Sequence, residues 1–364
     1  MASKNRIQAE YPVKQPIYSI ILAGGSGTRM GAADRHKVCF DIDGRPAIVR
    51  SLDTYTAAGI CPNIIVVGAL AGQVMETLSR ARHDAIYAYQ ADQRGTGHAA
   101  KQGARLLEQI GYNGLVLVVA GDVMVQPVAL QKLLKEFESS SCDLALMAGR
   151  REHAPTAGRV VTDEAGNALT IVEVRDIGQR HALSAVRNAA LAQAADDASY
   201  TARLRETALE ILKRQIPDER KARLAFGELW DYLHDVDRKF SATDLLSRVT
   251  EEDTRFQLYD ALGKSFVVTS DEVDQLPWIN LSVYLCKAPA LYYALNRLTD
   301  NNAQREEYLT DIVPILSQAK AQGEGDFRVK VVSIDHPKHV MGFNTLEELI
   351  NIEKYYVDQV VGKR

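Results

Sequence analysis

The sequence predicts an α/β fold: a mixed, mainly parallel sheet with helices on both faces, interrupted by a helical insertion. Three observations carry this. Short apolar runs alternate with amphipathic helical patterns from residue 17 to about 150. Those runs are apolar at successive positions, as in strands buried on both faces. And the texture changes to nearly continuous helix formers over 177–264 before strands return. A chain of 364 residues with 46% hydrophobic side chains is long enough for one large or two medium domains.

In order, a strand at 17–23 ends in glycines, and a helix follows at 46–58, with proline early where its missing N–H is harmless. Strands at 63–68, 85–90 and 115–120 alternate with helices at 72–82, 97–110 and 127–139. A further strand is expected at 143–149. Segments 159–162 and 168–173 flank Asp163-Glu-Ala-Gly-Asn167, a hairpin-like turn. Within the insertion, Leu204, Ala208, Ile211 and Leu212 keep the spacing of one buried helical face, while Trp230, Tyr232 and Leu233 read as core. Beyond it come strands at 265–270, 277–286 and 327–334 and helices at 290–298, 306–321 and 346–361. The expected organisation is therefore 1–176 plus 265–364 as one domain, with 177–264 inserted at a loop, where additions are tolerated.

Composition excludes several functions. The formal charge is -4, from 43 Lys+Arg against 47 Asp+Glu, which argues against broad binding to nucleic acid or to an anionic membrane surface. No apolar run approaches the ~18 residues of a membrane span. The polar start, 1–14, lacks the apolar core of a secretory signal. The four cysteines are scattered without a CxxC pair, so neither a zinc site nor a disulfide framework is expected and a reducing, cytoplasmic setting fits.

The sharpest local signal is Leu22-Ala-Gly-Gly-Ser-Gly-Thr-Arg-Met-Gly31, directly after the first strand. Glycines there turn tightly and offer N–H groups to a phosphate. A dinucleotide-binding loop would need glycine where Met30 stands and an acid after the second strand, which instead ends Val67-Gly-Ala69. A P-loop would need Gly-Lys-Ser/Thr, which is absent. Arg29 in the loop and Lys37 just beyond it suit a nucleoside triphosphate whose outer phosphates leave as pyrophosphate. The bland alternative is a strand-to-helix turn with two solvated cations.

This run, with the following Lys37 and Gly44-Arg-Pro46, resembles the signature of the sugar-nucleotidyltransferases, and in particular the uridylyltransferase domain of the bacterial N-acetylglucosamine-1-phosphate enzymes. The resemblance continues in Gln90-Ala-Asp-Gln-Arg-Gly-Thr-Gly-His-Ala99, placed between a strand and a helix. Physically, the Gln90 amide can read a pyrimidine edge, and Gly95 and Thr96 allow close approach at a helix N-terminus. His98, alone in the first turn, reads as structural. Asp122 closes the apolar strand 115–120, where ligands and Mg²⁺ gather in such sheets. Asn344 precedes the last helix and could equally cap it.

The resemblance covers 17–176 and 278–350. It implies a GT-A-like fold and a Mg²⁺-dependent reaction of UTP with a sugar 1-phosphate. Arg29 and Lys37 would be catalytic. Leu22, Ala23, Gly24, Gly25, Gly27, Gln90, Gly95 and Thr96 would bind the nucleotide, with Gln90 and Gly95 on uracil. Asp122 and Asn344 would hold Mg²⁺, and Gly158, Glu173 and Asn280 the sugar. Asn301-Asn-Ala-Gln-Arg-Glu-Glu-Tyr-Leu-Thr-Asp311 is the most family-specific string.

The departures sit on the sugar side. Ala157 replaces an aromatic residue, Leu281-Ser282 replaces Thr-Gly, and Arg305 replaces a glycine. The insertion has no counterpart. No hexapeptide repeats follow, so acetyl transfer is not expected. Another transferase on this fold, including the molybdopterin type, and a sugar-nucleotide sensor without turnover are the alternatives. Homo-oligomerisation is left open.

Overall fold

Ile20, Ile64 and Val66 turn to one side of a central sheet, and Ile21, Ile65 and Val67 to the other, because side chains alternate along a strand. All are buried, so these strands are apolar at successive positions, as expected for a sheet covered on both faces. The computed structural model describes residues 15–25, 30, 34–193, 200–238 and 240–361.

The sheet has nine strands. Ile86–Tyr89, Ile60–Val67, Ile17–Ala23 and Leu115–Ala120 lie side by side and parallel. Trp278–Lys287 joins antiparallel to the last of these and carries the hairpin of Arg159–Thr162 and Ala168–Val172 at its other end. Leu144–Arg150 pairs antiparallel with Trp278–Lys287 and parallel with Val329–Ser333. Helices Thr96–Gln109, Ala288–Leu295 and Ile312–Gln318 pack on one face; Ala47–Ala57, Ala71–Arg80 and Pro127–Ser139 pack on the other. The carboxyl ends of the parallel strands deliver Gly24, Gln90 and Asp122 to one rim of the sheet, the usual place for a ligand in such folds.

Two elements depart from expectation. The helix expected at 306–321 is shorter: a 3₁₀ turn at Leu309–Asp311 leads into Ile312–Gln318. Residues before it stay non-helical because the Glu307 backbone is taken by another segment: its N–H donates to Arg94 O (2.8 Å) and its carbonyl accepts from Gly97 N (2.8 Å). The region 177–264 is also not all helix. Arg255–Tyr259 is a strand paired with Ser265–Thr269, alternating half-buried Phe256 and Leu258 with exposed neighbours.

Helices Val174–Gln193, Tyr200–Gln215, Glu219–His234 and Ala242–Arg248 gather around a core of their own. Leu204, Ala208, Leu212, Trp230, Tyr232 and Leu233 are all buried in it. The first of these helices begins immediately after Glu173 and is tied to the main body by the Asp176 carboxylate, which accepts from Ala303 N at 2.8 Å. Among the described residues, no helix is long and apolar enough to cross a membrane.

Candidate active site

The rim of the sheet opens into a cavity of about 620 Å³. Leu22, Gly24 and Gly25, at the end of the first strand and just beyond it, line it with Lys37, Gln90, Gly95, Thr96, Asp122, Gly158, Glu173, Asn280 and Asn344. Residues scattered over the whole sequence thus share one space. Ala23 differs: its side chain is buried in the hydrophobic core, as strand alternation requires of the neighbour of a cavity-facing Leu22. Gly27 and Arg29 lie outside the described residues.

Lys37 opens a 3₁₀ turn, Lys37–Cys39, whose preceding His36 is buried and accepts from Val38 N. The Lys37 ammonium forms an ion pair with the Asp122 carboxylate. Asp122 is placed by Gly121, whose N–H donates to Leu22 O at 2.9 Å; a Cβ at that glycine would stand 2.8 Å from the same oxygen. Beyond Asp122, Val123–Val125 pairs antiparallel with Val340–Gly342, and Phe343 N donates to Asp122 O at 3.1 Å. This small ladder brings Asn344 to the mouth of the cavity. Glu348, a lining residue that sequence reasoning missed, accepts from Asn344 N at 2.5 Å and Thr345 N at 3.1 Å, so the helix start is capped without the Asn344 side chain.

At the end of the cavity near Gln90, Gly24 is closely held. Gln93 Nε2 donates to Gly24 O at 3.0 Å, and a Cβ on Gly24 would lie 2.6 Å from Gln90 Oε1. The Asn301–Asp311 string crosses over the Arg94–Gly97 loop. Besides the Glu307 backbone bonds, Leu309 N donates to the Thr96 hydroxyl at 3.1 Å, and Arg94 pairs with Glu307 at 2.5 Å. Gly95 has φ +110, and a Cβ there would sit 2.4 Å from Glu307 O. Its glycine identity is therefore required by the protein's own packing, whatever the ligand.

The opposite end of the cavity is built on a bulge. Pairing jumps from Asn280↔Ala148 to Tyr284↔Leu146, so residues 281–283 stand opposite Met147 alone. Asn280 holds this bulge from inside: its Oδ1 accepts from Ser282 N (3.1 Å) and its Nδ2 donates to Tyr284 OH (2.7 Å), while its own N–H donates to Gly158 O (2.9 Å). Both ends of the amide are thus engaged within the protein. Leu281 and Ser282 line the cavity beside it.

Ser282 (φ 56) and Arg305 (φ 54) are left-handed. They are the two positions where the resembled pattern has glycine, so the backbone has kept the glycine conformation under a different side chain. Left-handed geometry costs an ordinary residue about 1–2 kcal/mol, partly offset by the greater chain freedom of glycine when unfolded. Arg305→Gly is expected to stabilise the fold by up to about 1 kcal/mol, and Arg305→Val to destabilise it; denaturant midpoints check both, and a loss of stability in Arg305→Gly contradicts the strain.

Three carboxyls, Glu173, Asp176 and Asp311, lie close enough at this end to act on one another. Burial pushes Glu173 up, opposed by the Thr310 hydroxyl that donates to it at 3.0 Å and reinforced by Asp176. Burial likewise raises Asp176, and pushes Asp311 up to about 7 with the Asp176 and Glu173 charges adding. The folded chain therefore holds protons that the unfolded chain has already released. Stability contributed by these groups must fall as pH rises from about 4 to about 7. Asp311→Asn is expected to flatten that decline by on the order of 1–3 kcal/mol, read from denaturation curves at pH 5 and pH 8. An unchanged slope would contradict the assignment.

Two bifunctional proteins named GlmU are similar in sequence. The Pelobacter propionicus protein is 39% identical over 161 residues, which is 44% of this chain and 34% of that protein. The Exiguobacterium sibiricum protein is 33% identical over 160 residues, again 44% of this chain and 34% of the relative. The chain thus spans about a third of the length of these curated relatives. In structure, the inositol-1-phosphate CTP transferase from T. maritima aligns with a TM-score of 0.51 at 13% identity, covering 94% of this chain and 98% of that one; this establishes the fold. Residues 19–213, more than half of the chain, match the model of the MobA-like NTP transferase domain. The chain therefore belongs to that family and is a nucleotidyltransferase.

Proposed function

We propose that the chain forms a UDP-sugar, UDP-N-acetylglucosamine or a relative of it, and pyrophosphate from UTP and a sugar 1-phosphate. The observation that carries this reading is that the residues expected for phosphates, base and acceptor line one cavity. An oxygen of the acceptor phosphate attacks the α-phosphorus in line. The bond from that phosphorus to the β-bridging oxygen breaks, and its electron pair leaves on pyrophosphate. The acceptor is already an anionic nucleophile, so no covalent enzyme intermediate is needed. Catalysis is then positioning and neutralisation of charge. Lys37 neutralises the phosphates, with Arg29 expected beside it. Gly24 and Gly25 admit the triphosphate at close range, Gln90 reads the base, and Gly158 and Glu173 face the acceptor.

Magnesium fits the donor chemistry at the cavity mouth. Asp122 and Asn344 offer hard oxygen donors, and the Lys37 ion pair takes Asp122 Oδ2, so that Oδ1 is the oxygen offered to a cation. Among the described residues, no group of three or more His, Cys, Asp or Glu could hold a metal ion, so the set is sparse and suits an ion that also takes water and phosphate oxygens. When bound, it would supply further charge neutralisation on the phosphates. We take 177–264 as a unit inserted into the transferase body, with its first helix starting at the acceptor end.

Ala157, Leu281 and Ser282, which line the cavity where the resembled pattern has an aromatic residue and Thr-Gly, favour a second reading, in which the phosphorylated acceptor is not N-acetylglucosamine 1-phosphate. Pyrophosphate release with Mg²⁺, measured for four nucleoside triphosphates against a panel of sugar 1-phosphates, tests both. Turnover with UTP and one sugar supports the first. Silence across the panel with UTP bound overturns it in favour of another acceptor or a sensor.

A further inference from the structure

We infer that His98 is a positioning residue that fixes the Gln90 amide and thereby sets the choice of base. This rests on the reading that Gln90 faces the nucleobase. His98 does not line the cavity; it stands behind Gln90 in the first turn of helix Thr96–Gln109. Gln90 Nε2 contacts two groups, Gly95 O at 3.2 Å and His98 Nδ1 at 3.1 Å. A carbonyl can only accept, so the end of the amide that meets Gly95 must be its NH₂. With one hydrogen on Gly95 O, the second goes to Nδ1, which must then be the acceptor nitrogen of a neutral ring. The ring hydrogen is therefore on Nε2, whose neighbour 3.0 Å away is Gln102 Nε2, one helical turn on. Two donors cannot share that contact, so the Gln102 amide turns over, giving up only two long contacts, to His98 O at 3.5 Å and from Arg105 at 3.4 Å, and its oxygen then accepts from the ring.

The consequence lies at the other end. Both hydrogens of Gln90 are used inside the protein, and the group it presents beside Gly24 is an oxygen alone. A fixed acceptor receives the N3–H of uracil and opposes the lone pair on cytosine N3. Gln90 can read either pyrimidine if its amide is free to turn over; His98 removes that freedom.

The test is the ratio of dissociation constants for UTP and CTP, measured by calorimetry on the whole protein without acceptor, so that binding is read separately from turnover. His98→Ala is expected to shrink the preference for UTP about tenfold, Gln102→Leu to shrink it less, and His98→Asn, whose amide oxygen can stand near the Nδ1 position, to restore most of it. A merely structural histidine would weaken both nucleotides alike, and Gln102→Leu keeps the question answerable if His98→Ala does not fold. Overturning results are an unchanged ratio in both variants while Gln90→Ala abolishes it, or a wild-type protein that does not prefer UTP. A preference that survives Gln90→Ala strikes instead at the assignment of Gln90 to the base, and the inference falls with it.

Discussion

Lys37→Ala is expected to lower kcat by about 10²–10³, the loss typical of removing one donor aimed at developing charge. Among the described residues that line the cavity, Lys37 is the one Lys or Arg, against the carboxylates of Asp122, Glu173, Glu306 and Glu348. The triphosphate and phosphorylated acceptor proposed to meet there would bring several negative charges. Without Lys37 the remaining cation expected from sequence is Arg29, for which the same loss is predicted. Lys37→Arg should recover only part of the rate, because a planar fork does not replace a compact ammonium at the end of a short turn. Stability separates the chemical role from a structural one. The Lys37–Asp122 pair is mostly buried, with side chains 19% and 15% exposed. Removing the lysine leaves a partly buried carboxylate unpaired, at a cost between the ~1 kcal/mol of an exposed pair and the ~3 kcal/mol of a buried one. The Lys37→Ala/Asp122→Ala double variant should regain part of that stability and none of the rate. A rate loss under about fivefold in both Lys37→Ala and Arg29→Ala would sink the roles given to them.

How much of this was legible in the sequence follows from the range of the forces involved. Strands such as Leu115–Ala120 and helices such as Pro127–Ser139 are written in local patterning and were placed almost to the residue. The lining residues Lys37, Gln90, Asp122 and Asn344 were reached through motifs whose strand-and-loop context the fold reproduces. What local pattern cannot carry is the effect of a distant segment. Glu306–Tyr308 has helical composition, yet the Arg94–Gly97 loop recruits its backbone, and that long-range bonding overrides propensity. Thr310 and Glu348 belong to the site only because folding brings them there. The glycine-to-Ser282 and glycine-to-Arg305 departures were visible, but that the left-handed backbone persists beneath them needed coordinates. The engagement of both ends of Asn280 likewise follows from a bulge that periodicity does not announce.

Gly95→Ala is expected to be the most damaging single-methyl addition in the site, costing about 2–4 kcal/mol and raising the KM for the nucleotide. Two independent terms add. Gly95 sits at φ 110, ψ 173, a region essentially confined to glycine, where another residue pays about 1–3 kcal/mol. The new Cβ would also stand 2.4 Å from Glu307 O and 2.9 Å from Glu307 N, which are backbone atoms and cannot rotate away. They are pinned in turn by the bonds from Glu307 N to Arg94 O and from Gly97 N to Glu307 O. The string 306–309 would have to lift off the loop, loosening Thr96 from Leu309 N and, with them, the Gly95 carbonyl that orients Gln90. Gly97→Ala should be milder. Its Cβ would meet the Leu298 Cδ1 at 2.5 Å, a side-chain tip able to move, although the Glu307 and Tyr308 carbonyls at 2.9 Å still resist. Gly25→Ala meets nothing within 4 Å among the described residues and has no left-handed φ, so it should leave stability within about 0.5 kcal/mol of wild type. Denaturant titrations of the three variants, with nucleotide KM measured on each, check the order. Equal stability for Gly95→Ala and Gly25→Ala would mean that the 306–309 string does not bear on the loop, and that Gly95 is needed by the ligand alone.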